Sequence, residues 1–115
     1  MTDSVLLTLC TCPDESVAFS LAETLVEEGL AACVNLLPGV RSLYYWQGKL
    51  QHDTEVILLI KSAASGFPDL AARLSELHPY DLPEIMAFPI SHGLTDYLNW
   101  VTTCTTASAH TSSST

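Results

Sequence analysis

Residues Glu55–Lys61 constrain the fold of this chain more than any other stretch. Written as a strand, Val56, Leu58 and Ile60 share one face, while Glu55, Ile57, Leu59 and Lys61 share the other. A sheet in a two-layer domain covers one face with helices and turns the second to water. Here the second face is apolar at its centre and charged only at its ends, so a second subunit is expected against it. Just upstream, Leu43-Tyr44-Tyr45-Trp46-Gln47-Gly48-Lys49 sets three consecutive aromatic residues before a tight turn. Rings at that density require a core, a ligand groove or a subunit interface. Gln47-Gly48 reads as a hairpin turn, a weaker signal than Asn-Gly. Alternation alone leaves two sets for the interface, Tyr44 with Trp46 or Leu43 with Tyr45.

The rest of the pattern is regular. Val5–Thr11 predicts a short apolar strand. Pro13 suits a first helical turn, with Asp14 and Glu15 at its positive end. Ala18, Leu21, Ala22 and Leu25 recur at helical spacing, and Gly29 ends that helix near position 28. Ala31–Leu37 is a second strand, which Pro38-Gly39 breaks or bends before Val40–Trp46. The return strand runs from Leu50 to Lys61. Ser62 or Ser65 is the expected cap of a second helix with the stripe Phe67, Leu70, Ala71, Leu74 and Leu77. Asp69 and Arg73 are spaced to pair on it. His78-Pro79-Tyr80 ends it, and a strand follows at Glu84–Phe88. Thr95–Thr103 reads as a last short helix or turn. The order strand, helix, strand, strand, helix, strand predicts an α+β fold. It is a ferredoxin-like split βαβ sandwich with a four-stranded antiparallel sheet, an extended β-hairpin and both helices on one face. One domain is expected over residues 1–104, followed by a disordered Ser/Thr/Ala-rich tail at 105–115.

Charge excludes some partners. Thirteen acidic residues stand against four basic ones, for a net charge of -9. No Lys/Arg cluster is available for phosphate contacts, so nucleic acid is not an expected partner. The start, Met1-Thr2-Asp3-Ser4, lacks a basic region, and Val5–Leu9 is too short to span a bilayer. A cytoplasmic protein with no membrane partner is expected, with Cys10, Cys12, Cys33 and Cys104 reduced. No nucleophile elbow, Walker loop or dinucleotide loop is present, and no enzymatic activity or organic cofactor is indicated.

Several segments together resemble the CutA1 family of divalent-cation tolerance proteins. They are Ala31-Ala32-Cys33-Val34-Asn35, Pro38-Gly39, Ser42–Lys49, Glu55–Lys61, His78-Pro79-Tyr80, Pro83-Glu84-Ile85 and Gly93–Trp100. The likeness covers roughly residues 5 to 103, in order. It implies a ferredoxin-like subunit in a tight homotrimer closed by the extended hairpins, with Tyr44, Tyr45, Trp46, Ile57 and Leu59 as packing residues. It also implies a response to metal ions, with copper or zinc bound. The fold and trimer further resemble the PII signalling proteins, which bind small effectors in intersubunit clefts.

Cys10 and His78 are the metal candidates. A thiolate and an imidazole suit copper or zinc better than magnesium or calcium. In the copper-linked bacterial relative the proposed ligands are the cysteine ending the first strand and two consecutive histidines before Pro-Tyr. Carried over, these positions are Cys10, Leu77 and His78, and leucine has no donor atom. Cys12, two residues on, faces the same way as Cys10 and can assist. Glu55, Lys61, Tyr80 and Glu84 form a second constellation, for the rim of an intersubunit cleft. Glu55 and Lys61 share a strand face but lie about 20 Å apart along it, so a neighbouring subunit must complete each. Two functions follow: a trimeric metal-tolerance protein binding copper or zinc weakly, or a PII-like signalling or scaffold trimer binding a small effector.

Overall fold

The computed structural model describes residues 4–105. The elements run β1 (Val5–Cys12), α1 (Glu15–Glu27), β2 (Cys33–Trp46), β3 (Lys49–Ala63), a 3-10 turn (Ala64–Gly66), α2 (Phe67–Leu77), β4 (Ile85–Pro89) and α3 (Thr95–Cys104). The sheet order is β2-β3-β1-β4, and every pairing is antiparallel. This is the ferredoxin-like arrangement expected from the element order. No helix among the described residues is long and apolar enough to cross a membrane.

Helix α1 starts at its cap. The Asp14 carboxylate accepts the Val17 N–H at 2.8 Å, so Pro13 precedes the helix instead of sitting in its first turn. Gly29, at φ 73°, closes the other end, and the Leu30 N–H donates to the Leu25 carbonyl. Helix α2 differs from expectation at its start. Neither serine caps it: Ser62 is buried within β3, and the 3-10 turn feeds α2 through Gly66. Arg73 does not pair with Asp69. Its guanidinium takes both Glu28 oxygens at the end of α1, at 2.9 and 2.7 Å, and also Glu76. A fork-to-fork carboxylate contact across two helices outcompetes a single i,i+4 approach.

The core lies between the sheet and helices α1 and α2. Cys10, Cys12, Val56, Leu58 and Ile60 supply the strands, and Ala18, Leu21, Ala22, Leu25, Leu70 and Leu74 the helices. Each fully buried leucine contributes about 1.5–3 kcal/mol by leaving water. The opposite face of β3 carries Glu55, Ile57 and Leu59 as read from the sequence. Leu7, Leu9, Leu37, Met86 and Phe88 join it through their cross-strand partners. Leu37, Met86 and Phe88 remain exposed. Helix α3 contacts β1 and β3, with Val101 fully buried.

Strand β2 passes through Pro38-Gly39 without ending. Leu37 pairs with Ile57 and Val40 with Glu55, so β2 spends one more residue than β3 over that step, with Gly39 at φ 75°. This is a β-bulge. Because opposed residues share a face, the extra residue sets Val40, Ser42, Tyr44 and Trp46 on the face of Glu55. The register thus fixes the sheet face on which each of these residues lies. Tyr44 and Trp46 lie on the side away from α1 and α2, and the backbone directs Leu43 and Tyr45 to the other. The hairpin turns at Gln47 (φ 53°) and Gly48 (φ 78°), a primed geometry.

The domain extends one residue beyond the expected boundary. Thr105 is buried; its hydroxyl accepts the Ala63 N–H at 3.0 Å and donates to the Val101 carbonyl at 2.9 Å. The remainder of the expected tail, 106–115, lies outside the described residues.

Candidate metal centre and the adjoining acidic cleft

Strand alternation aims Cys10 and Cys12 at the helices, where both are fully buried. His78 reaches them from the end of α2, where its own N–H still donates to Leu74 O at 2.9 Å. One donor atom from each of Cys10, Cys12 and His78 lies within 4.8 Å of the others. The structure therefore joins the two expected candidates and promotes Cys12 from assistant to full member. Leu77 is partly exposed and brings no donor.

The imidazole is already held on both sides. Its Nε2 sits 2.7 Å from the Thr11 carbonyl, and its Nδ1 accepts the Tyr80 N–H at 3.1 Å. A carbonyl only accepts and an amide N–H only donates, so this network assigns the ring proton to Nε2. An ion taking a lone pair from His78 must displace one of these bonds. The two thiols are coupled. A hydrogen bond from the Cys10 thiol pulls Cys12 below the ordinary thiol range. The same bond, followed by burial and by the charges of Glu84 and Glu55, pushes Cys10 far up. The two thiols therefore titrate as a pair.

On the side away from α1 and α2 a cavity of about 800 Å³ opens between the hairpin and the loop after α2. Thr11, Trp46, Asp53, Glu55, Tyr80 and Glu84 are among its walls. Glu55 is only 7% exposed, and the Tyr80 hydroxyl donates to its Oε2 at 2.7 Å. Burial first, then this bond, pushes the Tyr80 hydroxyl well above the ordinary phenol range. The Tyr44 hydroxyl donates to Asp53, which raises it as well. The His78 and Tyr80 rings lie 4.8 Å apart, and Thr11 both lines the cavity and holds His78. The two sites share a wall.

Of the expected rim residues, Glu55, Tyr80 and Glu84 come together here, and Lys61 does not. Its ammonium lies with Cys33, 3.7 Å from the sulfur, and donates to Asn35. The remaining histidines are apart: His52 accepts from Arg41 Nε at 3.2 Å, and His92 sits beside Ser91. His110 lies outside the described residues. Thr11 and Asp53 were not anticipated. Thr11 shares the face of Ile57, its cross-strand partner, and Asp53 opposes Ser42 only once the bulge is counted.

Comparison with known proteins supplies the kinship. Residues 6–104 match the family model described as CutA1 divalent ion tolerance protein. A divalent-cation tolerance protein CutA from Pectobacterium atrosepticum is 52% identical over 99 residues, 86% of this chain and 89% of the relative. One from Thermus thermophilus is 50% identical over 93 residues, 81% of this chain and 90% of the relative. Among solved structures, a Thermus thermophilus divalent cation tolerance protein superposes with a TM-score of 0.86 at 47% identity. It covers 89% of this chain and 99% of its own. CutA1 from Oryza sativa gives 0.89 at 38% identity, covering 91% and 96%. The helix-backed sheet, the long bulged hairpin and these matches along nearly the whole domain lead to one conclusion: the chain belongs to the CutA1 family.

Proposed function

We propose that this chain acts in divalent-cation tolerance as a homotrimer, binding copper or zinc weakly at Cys10, Cys12 and His78. The carrying observation is the convergence of two buried sulfurs and an imidazole within 4.8 Å. Tetrahedral donors on one ion at about 2.3 Å from sulfur stand roughly 3.8 Å apart, so a small inward adjustment suffices. Soft donors of this kind fit Cu(I) or Zn(II), and the ion would supply charge for the thiolates. Binding is weak for stated reasons. The imidazole must give up a backbone bond, Cys10 must lose a strongly held proton, and Leu77 supplies nothing. The relatives' names, divalent-cation tolerance protein, support the role. The exposed apolar residues on the sheet face away from α1 and α2, with the exposed Tyr45 and Trp46, support assembly through the hairpin. Four free cysteines fit a reducing, cytoplasmic setting.

The test is titration of the reduced protein with Cu(I) under a competing chelator, beside Cys10→Ser, Cys12→Ser and His78→Ala. Affinity should fall in each variant and also as pH falls, since the ligands must shed protons. Unchanged affinity in all three variants would place the ion elsewhere. A second reading, a PII-like trimer binding an organic effector, has the 800 Å³ cavity in its favour.

A further inference from the structure

Two hydroxyls are sealed in the core without a partner. Thr8 and Ser62 are both fully buried, and neither Thr8 Oγ1 nor Ser62 Oγ makes a hydrogen bond among the described residues. A buried hydroxyl left unpaired forfeits its bonds to water and gains nothing in return, so buried polar groups are nearly always bonded. The register makes these two neighbours. Thr8 opposes Ile60 and Leu6 opposes Ser62, so Ser62 lies diagonally across from Thr8 on the adjacent strand. Strand parity puts both on the face of Cys10, Leu58 and Ile60, toward α1 and α2. Diagonal neighbours on one face stand roughly 7–8 Å apart, and somewhat less between their Cβ atoms. The hydroxyls do not meet directly. Two hydrogen bonds of about 2.8 Å through one shared oxygen span about 5.5 Å, which fits such a diagonal. The local side chains are small as well. Ala87 of β4 opposes Thr8 on its other side, so threonine, serine and alanine stand together where the surrounding layer is built from Leu58, Ile60, Leu70 and Leu74.

We propose that Thr8 and Ser62 hold one internal water molecule, which bridges β1 to β3 beneath the helices. Water and a hydroxyl each donate and accept, so the bridge satisfies both side chains in either bonding direction. Two bonds are the minimum for a buried water. Two neutral oxygens fall short of the six or more that a calcium or magnesium ion takes, so the site is one for water and not for such a cation. It is separate from the cluster of Cys10, Cys12 and His78, because Ser62 lies beyond Thr8 on the side away from Cys10. It is also independent of assembly. Both residues are closed off within one chain, between the sheet and its helices, whereas the surfaces proposed for assembly are the hairpin arm and the opposite sheet face. The water completes the bonding of the strand on which Cys10 and Cys12 are mounted, as a structural ligand of the core.

Two measurements on the whole chain test this. A high-resolution crystal structure of the unaltered protein should show a density peak within about 2.5–3.0 Å of both Thr8 Oγ1 and Ser62 Oγ. In solution, oxygen-17 relaxation dispersion counts long-lived internal waters and is blind to hydroxyl protons. Its amplitude should fall by one water per chain in the double variant Thr8→Val with Ser62→Ala, which removes both partners. Native near-ultraviolet dichroism of that variant guards against a folding artefact, and the crystal structure decides where the variant does not fold. Hydroxyls turned onto strand carbonyls, with no density between them, would overturn the proposal. So would an unchanged dispersion amplitude in the folded double variant.

Discussion

The Tyr80–Glu55 bond joins the loop after α2 to the hairpin strand, and its contribution can be worked out. The acceptor is a carboxylate buried to 7% exposure, and the donor lies 2.7 Å away. Hydrogen bonds to charged groups contribute about 1.5–3 kcal/mol. Tyr80 is half-buried at the edge of an open cavity, so water replaces part of the lost bond and the low end applies, about 1.5 kcal/mol. Tyr80→Phe should therefore lower the melting temperature by roughly 6 °C in a domain of this size. Chemical denaturation at fixed protein concentration measures it, within a double-mutant cycle with Glu55→Ala. In the Glu55→Ala background the same change should cost no more than about 0.5 kcal/mol, giving a coupling near 1 kcal/mol. The pH profile adds a check. The Tyr80 phenol is raised above its ordinary value of 10.0, so the stability it contributes is fully present below pH 10.0. That contribution is lost as pH rises through the folded-state value. The gap between wild type and Tyr80→Phe should stay level up to about pH 10 and shrink above it. Strict additivity in the cycle would refute the reasoning, because it would mean the two groups do not sense each other.

Three further outcomes are expected. Gln47 occupies positive φ at the turn, where asparagine is better tolerated, so Gln47→Asn should raise stability by about 0.5 kcal/mol in urea denaturation. Thr105→Ala should cost about 1–3 kcal/mol, because the buried Ala63 N–H loses its acceptor, whereas a chain ended after Thr105 should melt within a degree or two of the full chain. Light scattering should give three times the 12.4 kDa chain mass at micromolar concentration, and Leu59→Glu, on the apolar sheet face, should lower it; a monomeric wild type would sink the assembly reading.

The sequence carried the architecture because period-2 and period-3.6 patterns are local. The two faces of β3 are where alternation puts them, and the α2 stripe buries Leu70 and Leu74, while Leu77 at its last turn is exposed. Cys10 and His78 came together as the resemblance implied, and Cys12 followed from strand parity. What was not legible depends on backbone meeting backbone. Thr11 O and Tyr80 N–H occupy the His78 ring, and neither is a side-chain signal. Arg73 left Asp69 for Glu28 because only packing brings the end of α1 within reach. Lys61 shares a strand face with Glu55, but shared orientation is not proximity over six residues, and Cys33 and Asn35 stand closer. The register beyond Pro38-Gly39 needed the extra residue to be located, which composition alone does not do.

That extra residue divides β2 into two segments read in opposite phase. Before it, odd-numbered positions face the side away from α1 and α2; after it, even-numbered positions do. A one-residue deletion at Gly39 that preserved the hairpin turn would leave Pro38 alone opposite Val56, with Val40 still opposite Glu55. Tyr44 and Trp46 would keep their side, because the turn at Gln47-Gly48 and the pairing with β3 set the phase of the arm from its far end. The extra residue works as a slip joint: the base of β2 follows the core, the arm follows its turn, and a change of length at this position is absorbed without turning the arm over.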